Sequence, residues 1–332
     1  MNIDYSLYKK ISIKKKEEII KFIKDKFEIN LAKALKIDRV SAPIMINTSS
    51  GLNDDLSGKE RKIQFTPLYA KEQVEIVQSL AKWKRKALHD YGYHEGEGIY
   101  TDMNAIRQDD QMDEIHSLYV DQWDWEKIIN KKNRTIFYLK QVVNRIVSVL
   151  AKTNDQLIKK YPIFDYKVTN KCFFIKAETL REKYPNHTPK EREYLITKEY
   201  KTVFIIGIGK KLKDKTIHDF RAPDYDDWSL NGDLLLYHDV LDIALEVSSM
   251  GIRVDKESLV SQLKEMDLLE RLNFPYHQNV LNETYPLSIG GGIGQSRICL
   301  LLMQQAHIGE IQASYWSEEE INKQKNKGII LL

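Results

Sequence analysis

Two pairs of strand-like segments, each joined by a short connection, constrain the fold of this chain most strongly. Residues 98–107 and 117–125 are predicted strands on either side of an acidic loop, and residues 230–246 resemble a hairpin with its turn at Asp239 and Val240. Connections of this length suit antiparallel pairing. No repeat, low-complexity tract or linker divides the chain. We therefore predict an α+β fold, with an antiparallel β-sheet flanked by helices, in a single domain spanning residues 1–332.

Helical patterns and further strand patterns surround these two pairs. Apolar residues recur at three- and four-residue steps over residues 13–37, which predicts an amphipathic helix. The stretch 40–46 carries Pro43 and is predicted as an edge strand or a strand at a subunit contact, followed by a polar loop over residues 47–58. Strands are also expected at 75–79 and 202–207, and helices at 80–88, over most of 126–160, at 256–272 and from Ser296. The charged segment 178–201 receives no assignment.

The composition limits the classes of molecule with which this protein is expected to interact. The 332 residues include 51 Lys and Arg against 48 Asp and Glu, a net charge of +3, which is too small to indicate a nucleic-acid or membrane-surface partner. Cys172 and Cys299 form no CxxC pair, and no apolar run approaches the roughly 20 residues of a membrane helix. The first 25 residues lack the apolar core of a signal peptide. We expect a cytoplasmic protein that acts on small molecules.

The predicted hairpin suggests a metal site. Its register places Asp233 directly opposite Glu246, and side chains opposed in this way have Cβ atoms about 4.5–5.5 Å apart. Two carboxylates so close repel each other unless a cation lies between them, and Mg²⁺ carried with the phosphates of a nucleotide suits such oxygen ligands. The alternative is a solvated pair of carboxylates on an exposed face.

Other polar residues are candidates for a binding site, each with a structural alternative. Gln122 and Asp124 share one side of a predicted strand while Trp123 and Trp125 take the other, as in any amphipathic strand with a tryptophan core face. The glycines at 290–294 would let a ligand approach the backbone, and the helix start that follows favours anions, although neither a Walker nor a Rossmann context is present. The acidic loops 51–56 and 222–228 could bind a metal or an amine, or simply be solvated. The eight histidines show no zinc spacing.

Several longer sequence segments, in this order, closely resemble segments of the ammonia-dependent aspartate–ammonia ligases, the bacterial asparagine synthetases of the A type. They are SLAKWKR at residues 79–85, YVDQWDWE at 119–126, RAPDYDDW at 221–228, SSMGIRV at 248–254 and GGGIGQSR at 290–297. The resemblance covers essentially the whole chain. That family is similar to the catalytic core of class II aminoacyl-tRNA synthetases, which implies that fold and a homodimer formed through the first motif.

Three class II motifs can be placed on this chain. Pro43 matches the proline of the first motif, and Arg107 matches the arginine of the second. The third motif corresponds to Gly290, Gly292, Gly294 and Arg297. The second motif departs from the synthetase pattern Arg-x-Glu, because Arg107 is followed by Gln108 and Asp109, and the role of Asp109 stays open.

The resemblance implies that L-aspartate and ammonia condense at the expense of ATP, giving L-asparagine, AMP and pyrophosphate through a β-aspartyl-adenylate. It implies roles for particular residues: Arg107, Asp54 and Asp226 in catalysis; Asp54, Lys84, Gln122, Asp124 and Arg253 in aspartate binding; Arg107, Gly290, Gly292, Gly294 and Arg297 in nucleotide binding; Asp233 and Glu246 as Mg²⁺ ligands. Asp54 and Asp226 are both candidates for accepting the proton released when ammonia attacks.

Rival functions make different predictions. An N-terminal-nucleophile amidotransferase needs a cysteine after the initiator methionine, and this chain has Asn2, so free ammonia is the expected nitrogen source. A class II synthetase paralogue acting on tRNA would have an anticodon-binding module or a strongly basic face. A non-catalytic relic of the synthetase core would have lost the arginines and paired carboxylates, and these are present.

Overall fold

The computed structural model describes residues 8, 10–56 and 60–332. Part of the N-terminal stretch and the end of the predicted 47–58 loop lie outside these residues. The strands are β1 (Asp38–Arg39), β2 (Met45–Asn47), β3 (Gln64–Phe65), β4 (Val74–Ile76), β5 (Gly98–Ile106), β6 (Tyr119–Ile128), β7 (Phe173–Lys176), β8 (Thr202–Ile206), β9 (Asp226–His238), β10 (Ile243–Arg253) and β11 (Ser288–Gly294). The helices are α1 (Ile13–Leu35), α2 (Ala81–Asp90), α3 (Ile136–Lys160), α4 (Ala177–Lys183), α5 (Pro189–Tyr200), α6 (Lys256–Glu265), α7 (Pro275–Leu281), α8 (Gln295–Met303) and α9 (Glu318–Asn326).

The main sheet runs in the order β1-β5-β6-β11-β10-β9-β8-β7. Its interior pairs are antiparallel, as predicted, but β1 pairs with β5 and β7 pairs with β8 in parallel. The expectation of a purely antiparallel sheet is therefore wrong at both edges. At one edge the reason is the segment between β7 and β8, which contains α4 and α5 and so has the length that a parallel connection requires.

The helix α5 falls in the segment that received no assignment, although it carries a recognisable start signal. Thr188 and Glu191 form a capping box, in which the Thr188 backbone N–H donates to the Glu191 carboxylate at 2.7 Å. Pro189 follows at the first helical turn, where its missing N–H costs nothing. The signal was present in the sequence, but the density of charges on both sides hid it.

One face of the sheet packs against α1, α3 and α8 to form the main core. Trp123 and Trp125 point into that core and are almost fully buried, and the Trp123 ring stacks on Phe27 of α1 with centroids 4.5 Å apart. The structural interpretation of these tryptophans is thus confirmed. Because side chains alternate along a strand, Gln122, Asp124 and Glu126 point to the opposite face, against which α2 packs.

The β9–β10 hairpin differs from the predicted register. His238 pairs with Ile243, so the connection comprises the four residues from Asp239 to Asp242 instead of a tight turn. A further register shift lies between Glu246 and Ser248, where β10 is bulged, and the result is that Asp233 lies opposite Ser249 and Glu246 lies opposite Leu235. The predicted direct pairing of Asp233 with Glu246 is wrong, because both turn length and bulge move the two strands relative to each other.

The glycine run, for which the sequence predicted only a helix directly afterwards, forms the strand β11. It lies between β6 and β10 in the middle of the sheet, and the helix α8 begins directly after it at Gln295. A Cβ on Gly292 would overlap the side-chain amide of Gln122, and a Cβ on Gly290 would overlap the Glu126 carboxylate. These glycines make room for polar side chains that reach across β11 from the neighbouring strand.

Several element bounds also differ from the sequence prediction. The segment 126–160 continues as strand to Ile128 before α3 begins at Ile136, and the predicted helix 256–272 divides into α6 and the 3-10 helix Leu269–Asn273. Of the stretch 40–46, only its last residues belong to β2, which is an edge strand of a separate small sheet in the order β2-β4-β3. In the described part of the chain, no helix has both the length and the apolarity needed to cross a membrane.

Candidate active site

A cavity of about 310 Å³ lies on the face of the sheet that is opposite the tryptophan core. Strands β6, β9, β10 and β11, the helices α2 and α8, and the loops that contain Asp54 and Tyr225 contribute to its walls. Eleven residues selected from the sequence line it: Asp54, Lys84, Arg107, Gln122, Asp124, Asp226, Glu246, Arg253, Gly292, Gly294 and Arg297. The other two residues selected from the sequence, Gly290 and Asp233, lie outside the lining. The tertiary structure therefore gathers residues separated by more than 200 positions around one space.

Lys84 and Asp124 form a buried ion pair on the floor of the cavity. The Lys84 ammonium contacts the Asp124 carboxylate, donates to the Gly291 carbonyl at 3.2 Å and lies 4.0 Å from Glu126. Burial lowers the pKa of Lys84, although the charge of Asp124 opposes this effect. The pair holds its charges in place, so that a ligand carrying both a carboxylate and an ammonium has a partner for each.

Arg253 is held by two carboxylates. Its guanidinium contacts Asp226 and binds Glu126 through Nε and Nη2 at 3.0 and 2.7 Å. The β9–β10 register shifts between Gly251 and Arg253, and an irregularity of this kind changes the side of the sheet to which the following side chain points. The Arg253 side chain lines the cavity, and only 2% of the residue is exposed.

Two arginines supply positive charge at the cavity wall. Arg107 donates from Nε and Nη2 to the Gln78 carbonyl at 3.4 and 3.3 Å, and Arg297 donates from Nη1 to the Glu246 carbonyl at 2.9 Å. Within the described ranges, neither guanidinium has a carboxylate at salt-bridge distance. Their remaining N–H groups are suited to phosphate oxygens, which guanidinium groups bind in bidentate fashion.

Asp54 lies on the loop before β3 and is almost completely buried. Its Oδ1 accepts a hydrogen bond from the Leu56 backbone N–H at 3.0 Å. Burial raises the pKa of Asp54, with the charge of Lys82 acting in the opposite direction. A carboxylate with a raised pKa is a stronger base than an ordinary one, so of the two candidate bases Asp54 is better suited to accept a proton than Asp226, which is already bound to Arg253.

A charged network beneath Asp54 was not anticipated from the sequence. Asp224 binds Lys82 at 3.0 Å, His277 at 3.0 Å and Arg271 at 3.3 Å, and all of these are buried or nearly so. Burial opposes ionisation of Asp224, but Lys82 and His277 outweigh it and hold the pKa of this carboxylate far below its usual range. The acidic loop 222–228 was recognised, yet five carboxyl and aromatic residues in a row gave no reason to single out Asp224.

The two predicted metal ligands occupy neighbouring strands without being directly opposed. Glu246 lines the cavity, whereas Asp233 contacts the guanidinium of Arg221. Burial, together with the nearby charge of Glu246, raises the pKa of Asp233 to about 7 against the opposing effect of Arg221. Among the residues that the structure describes, no group of three or more His, Cys, Asp or Glu side chains is placed to hold a metal. Two carboxylates are the donor set that Mg²⁺ uses when phosphate oxygens complete its shell.

Comparison with known proteins identifies the family. Residues 14–328 match the family model described as aspartate-ammonia ligase. The chain belongs to this family. Aspartate–ammonia ligases from Clostridium perfringens and Bacillus cytotoxicus are 52% and 50% identical over 323 and 321 residues, each covering 97% of this chain and 96% and 98% of the relative. The resemblance inferred from the sequence segments is confirmed over nearly the full length.

Solved structures confirm the fold. The asparaginyl-tRNA synthetase of Pyrococcus horikoshii, complexed with asparaginyl-adenylate, superposes with a TM-score of 0.66 over 90% of this chain and 68% of that chain, at 14% identity. The aspartyl-tRNA synthetase of Entamoeba histolytica gives a TM-score of 0.57 at 15% identity. This chain thus has the fold of the class II synthetase core, as the family resemblance implied.

Proposed function

We propose that this protein synthesises L-asparagine from L-aspartate, ammonia and ATP. The observation that carries the proposal is the cavity itself. There, two arginines that have no carboxylate at salt-bridge distance among the described residues adjoin paired lysine, arginine and aspartate side chains. The first group suits a triphosphate and the second suits a zwitterionic acidic amino acid. Membership in the aspartate–ammonia ligase family supports the same reaction.

The first chemical step activates the substrate carboxyl group. A side-chain carboxylate oxygen of aspartate attacks the α-phosphorus of ATP, pyrophosphate leaves, and a β-aspartyl-adenylate forms. Arg107 stabilises the negative charge that builds on the transferring phosphate, and Arg297, with the open backbone at Gly292 and Gly294, binds the nucleotide. Gly290 lies outside the cavity lining, so the structure offers no support for its predicted contact with the nucleotide.

The second step transfers the nitrogen. Ammonia attacks the activated carbonyl carbon, AMP leaves, and one proton is released to a base, for which Asp54 is the better candidate. Aspartate is bound through its charged groups. The carboxylates of Asp124 and Asp226 bind its ammonium group. Lys84, Arg253 and Gln122 bind its carboxylates, including the one that becomes the amide. Enclosure in the cavity limits attack by water on the adenylate.

Asp233 and Glu246 would hold Mg²⁺ with the help of phosphate oxygens. Bound there, the ion would neutralise phosphate charge during transfer of the adenylyl group. The supporting observation is their proximity, because Glu246 lines the cavity and its charge acts on Asp233 from the neighbouring strand.

The deciding experiment incubates purified protein with ATP, Mg²⁺, L-aspartate and ammonium, and measures asparagine, AMP and pyrophosphate. We expect equal amounts of the three products. ADP in place of AMP would exclude the adenylate, and equal synthesis from glutamine would exclude free ammonia as the preferred nitrogen source. The alternative, a paralogue acting on tRNA, is not favoured by the family match and predicts that asparagine formation requires tRNA.

We further propose that the protein is a cytoplasmic homodimer. Burial raises the pKa of the free thiols Cys172 and Cys299 to about 12, which suits unreactive thiols in a reducing compartment. Ile44 and Met45 follow Pro43 and lie at the edge of the small sheet with 49% and 40% of their surface exposed. An apolar sheet edge of this kind is suited to pairing with a second copy.

A further inference from the structure

Glu126 is a buried carboxylate to which neither motif reasoning nor the proposed mechanism gives a role. It lies on β6 two residues after Asp124, its surface is 0% exposed, and it is not part of the cavity lining. A buried carboxylate is costly unless it is paired. Here the pairing is to Arg253, at 3.0 Å from Oε1 to Nε and 2.7 Å from Oε2 to Nη2.

The surrounding strand is shaped to hold this carboxylate. Gly290 on β11 lies directly opposite Glu126, and a Cβ at Gly290 would overlap both the Glu126 carboxylate and Nη2 of Arg253. Ser288, two residues earlier, donates its hydroxyl to Glu126 Oε1 at 2.7 Å. Burial opposes ionisation of Glu126, but the Arg253 charge and its hydrogen bonds outweigh this and lower the pKa, so the pair stays ionic.

The two carboxylate partners of Arg253 differ in one respect. Asp226 lines the cavity and can turn to the ammonium of a bound amino acid, whereas Glu126 has no access to the cavity. With Glu126 as a fixed partner, Arg253 keeps its orientation when Asp226 engages a ligand. Without that partner, the guanidinium would follow Asp226 and lose the direction in which it meets a substrate carboxylate.

We propose that Glu126 is the positioning residue that orients Arg253 for aspartate, and that residue 290 is glycine because the Glu126 carboxylate occupies the space above its Cα. This inference rests on the proposed function, since it takes aspartate to be the ligand of Arg253. It gives Gly290 a structural task in the amino-acid site in place of a nucleotide contact.

The test measures binding of L-aspartate and of ATP separately by calorimetry, in wild type and Glu126→Gln. We expect the aspartate Kd to rise about 10- to 100-fold, because hydrogen bonds to charged groups have that effect, while the ATP Kd changes less than about twofold. Glu310→Gln is the matched control, because Glu310 is equally buried, pairs with Lys16 at 2.6 Å and is not part of the cavity lining. Its aspartate Kd should stay within about twofold of wild type.

Several outcomes would overturn the proposal. An unchanged aspartate Kd in Glu126→Gln would do so, as would an equal loss of aspartate and ATP binding, which indicates a general structural role. If Glu126→Gln does not fold, Ser288→Ala removes only the hydroxyl that fixes the carboxylate, and it should raise the aspartate Kd about fivefold with ATP binding retained. Unchanged aspartate binding in Ser288→Ala would then refute the idea. Because wild-type binding is measured directly, failure of asparagine synthesis is distinguishable from failure of this proposal.

Discussion

At the scale of single residues, the side chains of β6 alternate between the core and the cavity. Trp123 and Trp125 are core residues and Gln122 and Asp124 line the cavity, so one face of the strand packs in the core and the other presents polar side chains to the cavity. The pleat of a strand fixes this alternation, which is why it could be predicted. The partners of Asp124 could not be predicted, because Lys84 lies 40 residues away on a helix that packs over the strand.

Asp54→Asn should abolish the acidic limb of the pH–rate profile. Because burial raises the pKa of Asp54, the wild-type carboxyl stays protonated and inactive to a higher pH than an ordinary aspartate, and activity rises as pH increases through that pKa. Replacing this base should lower kcat by about 100-fold or more and remove the rise. The measurement is kcat against pH, with total ammonium adjusted so that free ammonia is constant.

The neighbouring Asp55→Asn provides the control for this prediction. Asp55 is on the same loop but binds Arg271 at 2.7 Å and does not line the cavity. It should keep the wild-type profile with kcat within about threefold. A normal acidic limb in Asp54→Asn would remove Asp54 from the role of base and leave Asp226 as the remaining candidate.

At the scale of elements, the β9–β10 hairpin shows where pattern reasoning stops. The two strands and their antiparallel pairing were predicted, but the register was not, because Asp242 takes a left-handed conformation with φ of 50° within a four-residue connection and β10 is bulged at Val247. A bulge leaves little trace in a sequence whose polar and apolar residues already alternate. Glu246 still lies close enough to Asp233 to raise its pKa.

Asp233→Asn and Glu246→Gln should each lower kcat about 100-fold and increase the Mg²⁺ concentration needed for half-maximal rate. The reason is the loss of one of two carboxylates available to the ion. Circular dichroism and a Mg²⁺ titration of the rate are the measurements. Asp239→Asn, which changes an aspartate at the turn end of the same hairpin, should behave as wild type. Wild-type turnover and Mg²⁺ dependence in Asp233→Asn would remove that residue from the metal site.

At the scale of the whole molecule, the class II core was predicted from short sequence segments. The structural matches confirm this fold. The parallel pairs at both edges of the sheet were not predicted, because they depend on how the long segments between β1 and β5 and between β7 and β8 return the chain to the sheet. That residues 1–332 form a single catalytic domain stays a prediction. The dimer also stays one, and it can be tested directly.

The variant Ile44→Lys/Met45→Lys should convert a dimer to a monomer, because two buried charges at an apolar interface lack partners. Sedimentation velocity of wild type and variant at the same concentration is the measurement. Phe137→Lys is the control, since Phe137 is an exposed apolar residue on α3, away from the small sheet. A monomeric wild type, or a double variant that still sediments as a dimer, would contradict the proposed interface.

The sequence by itself determined the family, the order of most elements and eleven of the residues that line the cavity, because each depends on residue identity and local spacing. Only the tertiary structure decided the strand register, the parallel edges and the pairing of Arg253 with Glu126 across a glycine strand. The physical reason is that buried charges are stabilised by partners brought close through packing, and no local pattern in the chain records which strand will supply the partner.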